Sequence, residues 1–259
     1  HAHRTRSVAA VFAGLLLAMF VSSLSETVTA TALPTIVGDL GGVEHMQWVE
    51  TAYILAVTIT MPVYGKIGDL YGRKYLFIIA LSVFIVGSAT CGFATSMDGL
   101  IAGRAVQGLG GGGLMILSQA IIADVVPPRQ RGKYMGVMGS VFAVSTIVGP
   151  LLGGWFTEVV GWRYIFWLNV PIALAVVFLP RAKRAATSFS LDVVGTALLM
   201  GGTVCLVMFT VVGGGSAGWA SPEALALAVA CVACFALFVL AERRAEEPVM
   251  PLGLFKNKN

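Results

Sequence analysis

Eight apolar stretches, each about as long as a bilayer is thick, follow one another through this sequence with short links between them. They fall at roughly 8–32, 47–65, 75–95, 99–123, 134–157, 163–180, 191–212 and 222–241. A spanning helix needs about 20 mostly apolar residues, and a chain so divided has no length left for a soluble domain. Of the 259 residues, 57% are hydrophobic and 12% charged, against about 25% charged in soluble domains. The expected fold class is all-α and integral to a membrane.

The placement of charge supports the same division. Arg4 and Arg6 precede the first stretch, and Lys66, Arg73 and Lys74 follow the second. Arg129, Arg131 and Lys133 follow the fourth, and Arg181, Lys183 and Arg184 the sixth. Arg243, Arg244, Lys256 and Lys258 follow the eighth, so 15 of the 17 Lys and Arg residues fall on one side. By the positive-inside rule that side is cytoplasmic and holds the N-terminus. Asp39, Glu44, Asp98, Glu158 and Glu223 then face outward. The formal net charge of +4 is thus a topology signal, and its clustering argues against a nucleic-acid partner.

Four cysteines, Cys91, Cys205, Cys231 and Cys234, lie in apolar stretches without histidine or carboxylate company. They read as small packing residues, and no metal site is expected. The first stretch is too long for a signal peptide and lacks a cleavage site. The sequence opens on His1 rather than Met and ends after an interfacial-looking segment, 248–255; it is expected to be a fragment.

Ionisable groups at membrane depth are costly and therefore point to function. Glu26 precedes Pro34, taken as the outer end of the first span, by eight residues, which puts it about 12 Å inside. Arg104 enters the fourth span from the same side, at about 7 Å. The two are expected to form a charge pair or share a water cavity. Burial favours the neutral form of a carboxylate and a nearby cation the charged form, so an acid between them can carry a proton. Gln107 is one turn deeper than Arg104. Glu50, at the mouth of the second span, is expected to line a cavity or reach the headgroups.

Glycines mark the remaining candidates. The ten residues Gly65–Lys74 join the second and third spans in a charged turn with Asp69, Gly72 and Arg73. The fourth span carries Gly108 and Gly110 to Gly113, and the fifth Gly136, Gly139, Gly149, Pro150, Gly153 and Gly154. Small residues let helices approach closely, and proline bends a helix.

Together these segments resemble the major facilitator superfamily, and within it the fourteen-span drug:proton antiporters. Gly65, Asp69, Gly72, Arg73 and Lys74 match the superfamily's signature loop between spans two and three. Arg104-Ala-Val-Gln107-Gly108 is similar to the arginine motif associated with proton transfer. Gly136, Gly149, Pro150, Gly153 and Gly154 match the antiporter motif, with Ser145 where glycine is usual. Ala32-Leu-Pro34, Trp162-Arg163 and Asn169-Val-Pro171 also look like that branch. Its span-one acid would fall at Ser25; Glu26 follows it, about 100° round the helix. The resemblance implies a six-helix N-terminal bundle (1–185), two additional transmembrane helices (186–245), and a cytoplasmic lead-in (246–259) to a second bundle not included. It implies a cytoplasmic gate of Gly65, Asp69, Gly72, Arg73, Lys74 and Asp124, with Asp69 meeting a helix end in the missing half. Glu26 and Arg104 would couple to protons.

The function implied is proton-coupled efflux of lipophilic, often cationic drugs or toxic compounds by alternating access, from a monomer in a bacterial plasma membrane. Its partners would be those substrates, protons and membrane lipids, with a proton gradient in place of a cofactor. A dedicated exporter of one metabolite, lipid or siderophore remains an alternative. An embedded enzyme would need a nucleophile–base set or metal ligands at one depth; the histidines, His1, His3 and His45, lie outside the spans. A channel or receptor also remains open, though glycine-rich bends favour moving helices.

Overall fold

The computed structural model describes residues 2–177, 193–214 and 218–243. Among them are eight α-helices: α1 Ala2–Leu40, α2 Met46–Tyr71, α3 Arg73–Gly92, α4 Met97–Val125, α5 Pro128–Val159, α6 Arg163–Val177, α7 Val193–Gly214 and α8 Pro222–Glu242. The chain divides into two compact units, His1–Ala186 and Thr187–Asn259. The expected lead-in at 246–259 and the cations at 181–184 and beyond Arg243 lie outside the described residues.

Six helices, α1, α3, α4, α5, α7 and α8, are long and apolar enough to cross a membrane. The other two stand where spans were expected. α2 has 26 residues, but Glu50, Lys66 and Asp69 dilute its apolar character. α6 is described over 15 residues, and 178–180 of its expected span are not described. Helices suit this setting because a lipid-exposed backbone must satisfy its own polar groups.

Two boundaries differ from the sequence reading. α1 continues through Pro34 to Leu40, because one proline removes one hydrogen bond without ending a helix that neighbours support. Glu26 therefore lies about 21 Å from the end of α1, not the ~12 Å reckoned from Pro34. The ten-residue turn is also mostly helix. α2 runs to Tyr71, Gly72 N–H donates to the Gly68 carbonyl at 3.1 Å, and α3 begins at Arg73. The break is confined to Gly72 at φ 97°, a backbone geometry that favours glycine.

In the first unit α4 is central, touching α1, α2, α3 and α5. Its glycines explain how it touches so many. A Cβ on Gly108 or Gly112 would strike the Tyr53 or Val57 carbonyl of α2, at 2.5 and 2.7 Å. On Gly110 or Gly113 it would strike Ala80 of α3, at 2.5 and 2.6 Å. Absent side chains let backbone meet backbone, the small-residue packing that holds helices together without a water-driven hydrophobic effect. Ser96 caps α4 by accepting from Gly99 N at 3.2 Å, satisfying an otherwise orphaned donor.

The buried interior is layered. One apolar cluster includes Val21, Tyr53, Phe84, Leu114 and Ala173. A second includes Leu24, Val49, Cys91, Leu100 and Phe166. Between them along the chain lie the buried polar residues Ser22, Ser88, Arg104, Gln107 and Asn169. At one end of the bundle, Trp162 Nε1 donates to Asp39 Oδ2 at 2.8 Å. Arg163 stacks over Trp162 at 4.5 Å and donates to the Ala94 carbonyl at 2.9 Å. The link before α6 is thereby tied to α1 and α3.

In the second unit α7 and α8 pack on each other. Gly202 sits against the Phe235 ring, 3.1 Å from a built Cβ, and Phe209 meets Trp219 edge-on at 5.2 Å. Ser221 caps α8 by accepting from Ala224 N at 3.2 Å.

Candidate functional site: a buried arginine and a charged elbow

Arg104 is fully buried, and a buried cation is tolerable only with compensating partners. Its Nε donates to the Val49 carbonyl at 3.1 Å. Nη1 donates to the Ser25 carbonyl at 3.1 Å and to Gln107 Oε1 at 2.8 Å. The guanidinium carbon stands 4.1 Å from the centroid of the Tyr53 ring, a cation–π contact strengthened by desolvation. Nη2 lies 3.8 Å from Glu50 Oε1.

This last contact corrects the expected pairing. The acid in contact with Arg104 is Glu50 of α2, not Glu26 of α1. Glu50 does not reach out to headgroups: its side chain is 22% exposed and turned to the guanidinium. Glu26 is half-buried and within the guanidinium's field, but the ion pair belongs to Glu50 because α1 presents Ser25 at this level. Glu26, one residue on, is rotated by about 100°.

Ser25 ties α1 to α4 and α6. Its hydroxyl accepts from Gln107 Nε2 at 3.2 Å and from Asn169 Nδ2 of α6 at 2.8 Å. Gln107 Nε2 also donates to Ser88 Oγ of α3 at 2.9 Å. Tyr53 Oη donates to the Ser22 carbonyl at 2.8 Å. Helices α1, α2, α3, α4 and α6 thus share one polar layer. Tyr53, Ser88 and Asn169 are members of this layer not expected from the sequence. Tyr53 is three residues after Glu50 and so shares its helix face, a signal that was available. An asparagine within an apolar run was another. Ser88 gave none, since serines within helices commonly bond back to their own backbone.

The second constellation is the elbow between α2 and α3. Arg73 Nη2 lies 2.7 Å from Asp69 Oδ1, one turn away across the break. Its Nη1 lies 2.7 Å from Asp124 Oδ1 and donates to the Ala120 carbonyl at 2.7 Å. A cation near the carboxyl end of α4 suits the helix dipole. Gly68 makes the approach possible: a Cβ there would meet Leu117 Cδ2 at 2.9 Å. Gly65 has only Ile116, at 3.9 Å, near it, and Lys74 is exposed.

The glycines of α5 fall into two groups. A Cβ on Gly149 would overlap Thr27 Oγ1, and one on Gly153 would meet the Val28 carbonyl at 2.7 Å. These two seat α5 on α1, where Thr27 Oγ1 donates to the Ser145 carbonyl at 3.1 Å. Gly136 and Gly154 have nothing within 4 Å, and Pro150, one turn before Gly154, is exposed.

Long apolar helices around a buried, arginine-centred polar layer define a multi-pass helical membrane protein. The chain belongs to the Major Facilitator Superfamily, whose profile matches residues 15–191. That is a family of transporters, not of enzymes. Multidrug resistance protein 3 of Bacillus subtilis (strain 168) is 40% identical over 252 residues, covering 96% of this chain and 49% of the relative. Multidrug transporter protein MdtP of the same organism is 36% identical over 249 residues, covering 95% and 46%. The chain therefore spans about half the length of these relatives. In fold it is similar to a bacterial homolog of the human lysosomal transporter Spinster, crystallised inward-facing and unoccupied. The TM-score is 0.57 at 17% identity, over 91% of this chain and 62% of that one.

Proposed function

We propose that the chain is the N-terminal bundle, with the two following helices, of an exporter that moves lipophilic, often cationic compounds outward in exchange for protons. The observation that carries this reading is the fully buried Arg104, held in a polar layer that five helices share. A charge is costly at membrane depth and marks an ion or proton pathway by default. The multidrug names of the relatives support a drug as cargo.

In this reading a second bundle, supplied by sequence beyond residue 259, completes a single polypeptide in the plasma membrane of a bacterium. The N-terminus and the cation-rich links are cytoplasmic, following the charge distribution. The bundles rock about a central cavity. Asp69, Arg73 and Asp124, with Gly65, Gly72 and Lys74, latch the cytoplasmic side, and Asp69 docks on a helix end of the second bundle. Arg104, with Gln107 beneath it and the acids Glu26 and Glu50 beside it, links protonation to the rocking. Gly136, Gly149, Pro150, Gly153 and Gly154 let α5 bend and slide. The proton gradient is the energy source, and no cofactor is needed.

The test is efflux of a lipophilic cationic dye from proteoliposomes carrying the full-length protein, with a proton gradient imposed and then collapsed by a protonophore. Export that stops with the gradient is expected. Equal dye movement with and without the gradient overturns proton coupling, and no movement at verified reconstitution overturns export.

A further inference from the structure

We propose that Glu50, rather than Glu26, is the proton-binding carboxylate of this bundle, taking up and releasing its proton against the Nη2 corner of Arg104. The assignment deepens the proton-driven reading above and rests on it for its purpose.

One face of α2 wraps the guanidinium with three successive groups: the Val49 carbonyl on Nε at 3.1 Å, the Glu50 carboxylate by Nη2 at 3.8 Å, and the Tyr53 ring at 4.1 Å. The hydrogen bonds that α1 accepts here fall on neutral groups, the Ser25 carbonyl from Arg104 and the Ser25 hydroxyl from Gln107, while Glu26 of α1 acts on the guanidinium only through space. The negative charge in contact with Arg104 is therefore that of α2. The contact is loose. Charge-assisted N–H···O bonds close to about 2.7–2.9 Å, whereas this pair stands at 3.8 Å. Neither Arg104 Nη2 nor Glu50 Oε1 has a hydrogen-bond partner among the described residues. A carboxylate gripped by several donors is locked in its ionised form; this one is attracted but not gripped. Glu50 also keeps 22% of its side chain exposed while Arg104 is fully buried, so the acid is the open member of the pair.

The charged and titratable groups around Glu50 are few. Arg104 approaches from α4, Glu26 from α1 and Tyr53 from its own helix. Cys91 of α3 stands within the field of the guanidinium. Glu44 and His45, in the turn before α2, are exposed. A proton from water binds a Glu50 carboxylate oxygen and cancels the negative charge. Arg104 keeps its carbonyl, glutamine and ring partners but loses its counter-ion, and the α2–α4 attraction at this corner falls. Release of the proton to water restores it. One contact changes while the cation stays held, which is what a reversible switch requires.

The test is pH-difference infrared spectroscopy of the full-length protein in lipid nanodiscs, following the deuterium-sensitive carbonyl stretch of protonated carboxyl groups. Loss of a titrating band in Glu50→Gln, with that band retained in Glu26→Gln, is expected. Loss in Glu26→Gln with retention in Glu50→Gln overturns the assignment, as does the absence of any titrating band in the parent protein. Should Glu50→Gln fail to fold, Glu50→Asp must shift the band's midpoint while Glu26→Asp leaves it in place; an unmoved midpoint in Glu50→Asp overturns the proposal. Proteoliposome transport separates the two readings. A titrating Glu50 without gradient-driven dye movement sinks export and leaves the proton site standing. Gradient-driven export without a titrating Glu50 sinks the site alone.

Discussion

The guanidinium of Arg104 in α4 stands 4.1 Å above the ring of Tyr53 in α2, and the hydroxyl of that tyrosine reaches on to the Ser22 carbonyl of α1 at 2.8 Å. One side chain thus serves a cation with its face and a third helix with its tip. The two functions separate by substitution. Tyr53→Phe keeps the face and loses the hydroxyl's two buried contacts, to the Ser22 carbonyl at 2.8 Å and Ser22 Oγ at 3.2 Å, a cost of about 1–2 kcal/mol. Tyr53→Leu also loses a desolvated cation–π contact, adding about 2 kcal/mol. Denaturant or thermal unfolding in detergent should rank them parent, Phe, Leu; equal losses for both variants would show that the ring face contributes nothing.

Arg73 pairs with two acids that are themselves 51% and 36% exposed. Pairs so open to solvent contribute at most about 1 kcal/mol. Asp69→Asn and Asp124→Asn should accordingly shift unfolding little. If the elbow is a gate, both should lower dye efflux by at least about tenfold, equivalent to ~1.4 kcal/mol in the rate-limiting step. A large stability loss with unchanged turnover would reduce the elbow to packing.

Position decides the fate of the glycines in α5. Gly149→Ala drives a Cβ into Thr27 Oγ1, so α5 must lift from α1 at a cost of about 1–3 kcal/mol. Gly154→Ala meets nothing within 4 Å and should stay within about 0.5 kcal/mol of the parent. Thermal melts of the two variants check the contrast, and similar losses at both sites would contradict this helix contact.

Asn169→Ala removes the 2.8 Å bond to Ser25 Oγ while leaving Gln107 Nε2 on the same oxygen. The expected cost is about 1 kcal/mol. Amide hydrogen exchange should report it as faster opening of α6 with α1 nearly unchanged; equal acceleration in all five helices of the layer would argue that the network melts as one.

Glu50→Gln and Glu26→Gln should differ in transport as they do in contact. Gradient-driven efflux is expected to fall at least about tenfold for Glu50→Gln and by less for Glu26→Gln, whose carboxylate stands off the guanidinium. Proteoliposomes at matched protein content give the ratio, and a larger loss for Glu26→Gln would reverse the order.

Much of the molecule was legible before any coordinate. Periodic apolar length gives the eight helices, because a bilayer leaves few ways to satisfy a backbone. Arg104 and Gln107 stood out because polar groups in apolar runs are costly. The elbow was legible as residues but not as shape: Gly65 to Tyr71 carry charge and glycine, yet they extend α2, since i to i+4 bonds outweigh weak local propensities. Pro34 misled in the same way.

By itself, then, the sequence determined the helices, their order and which side chains could not be left without partners. These follow from local hydrogen bonding and from transfer free energy, both properties of short stretches of chain. Only the tertiary structure decided which partner each one took. Glu26 and Glu50 are equivalent as letters, and depth counted along separate helices could not choose between them. The choice depends on the rotation of α1 about its axis, which presents Ser25, and on the close approach of α2 to α4 that Gly108 and Gly112 allow. Rotation and approach are set by packing among all the helices together, so no single segment encodes them.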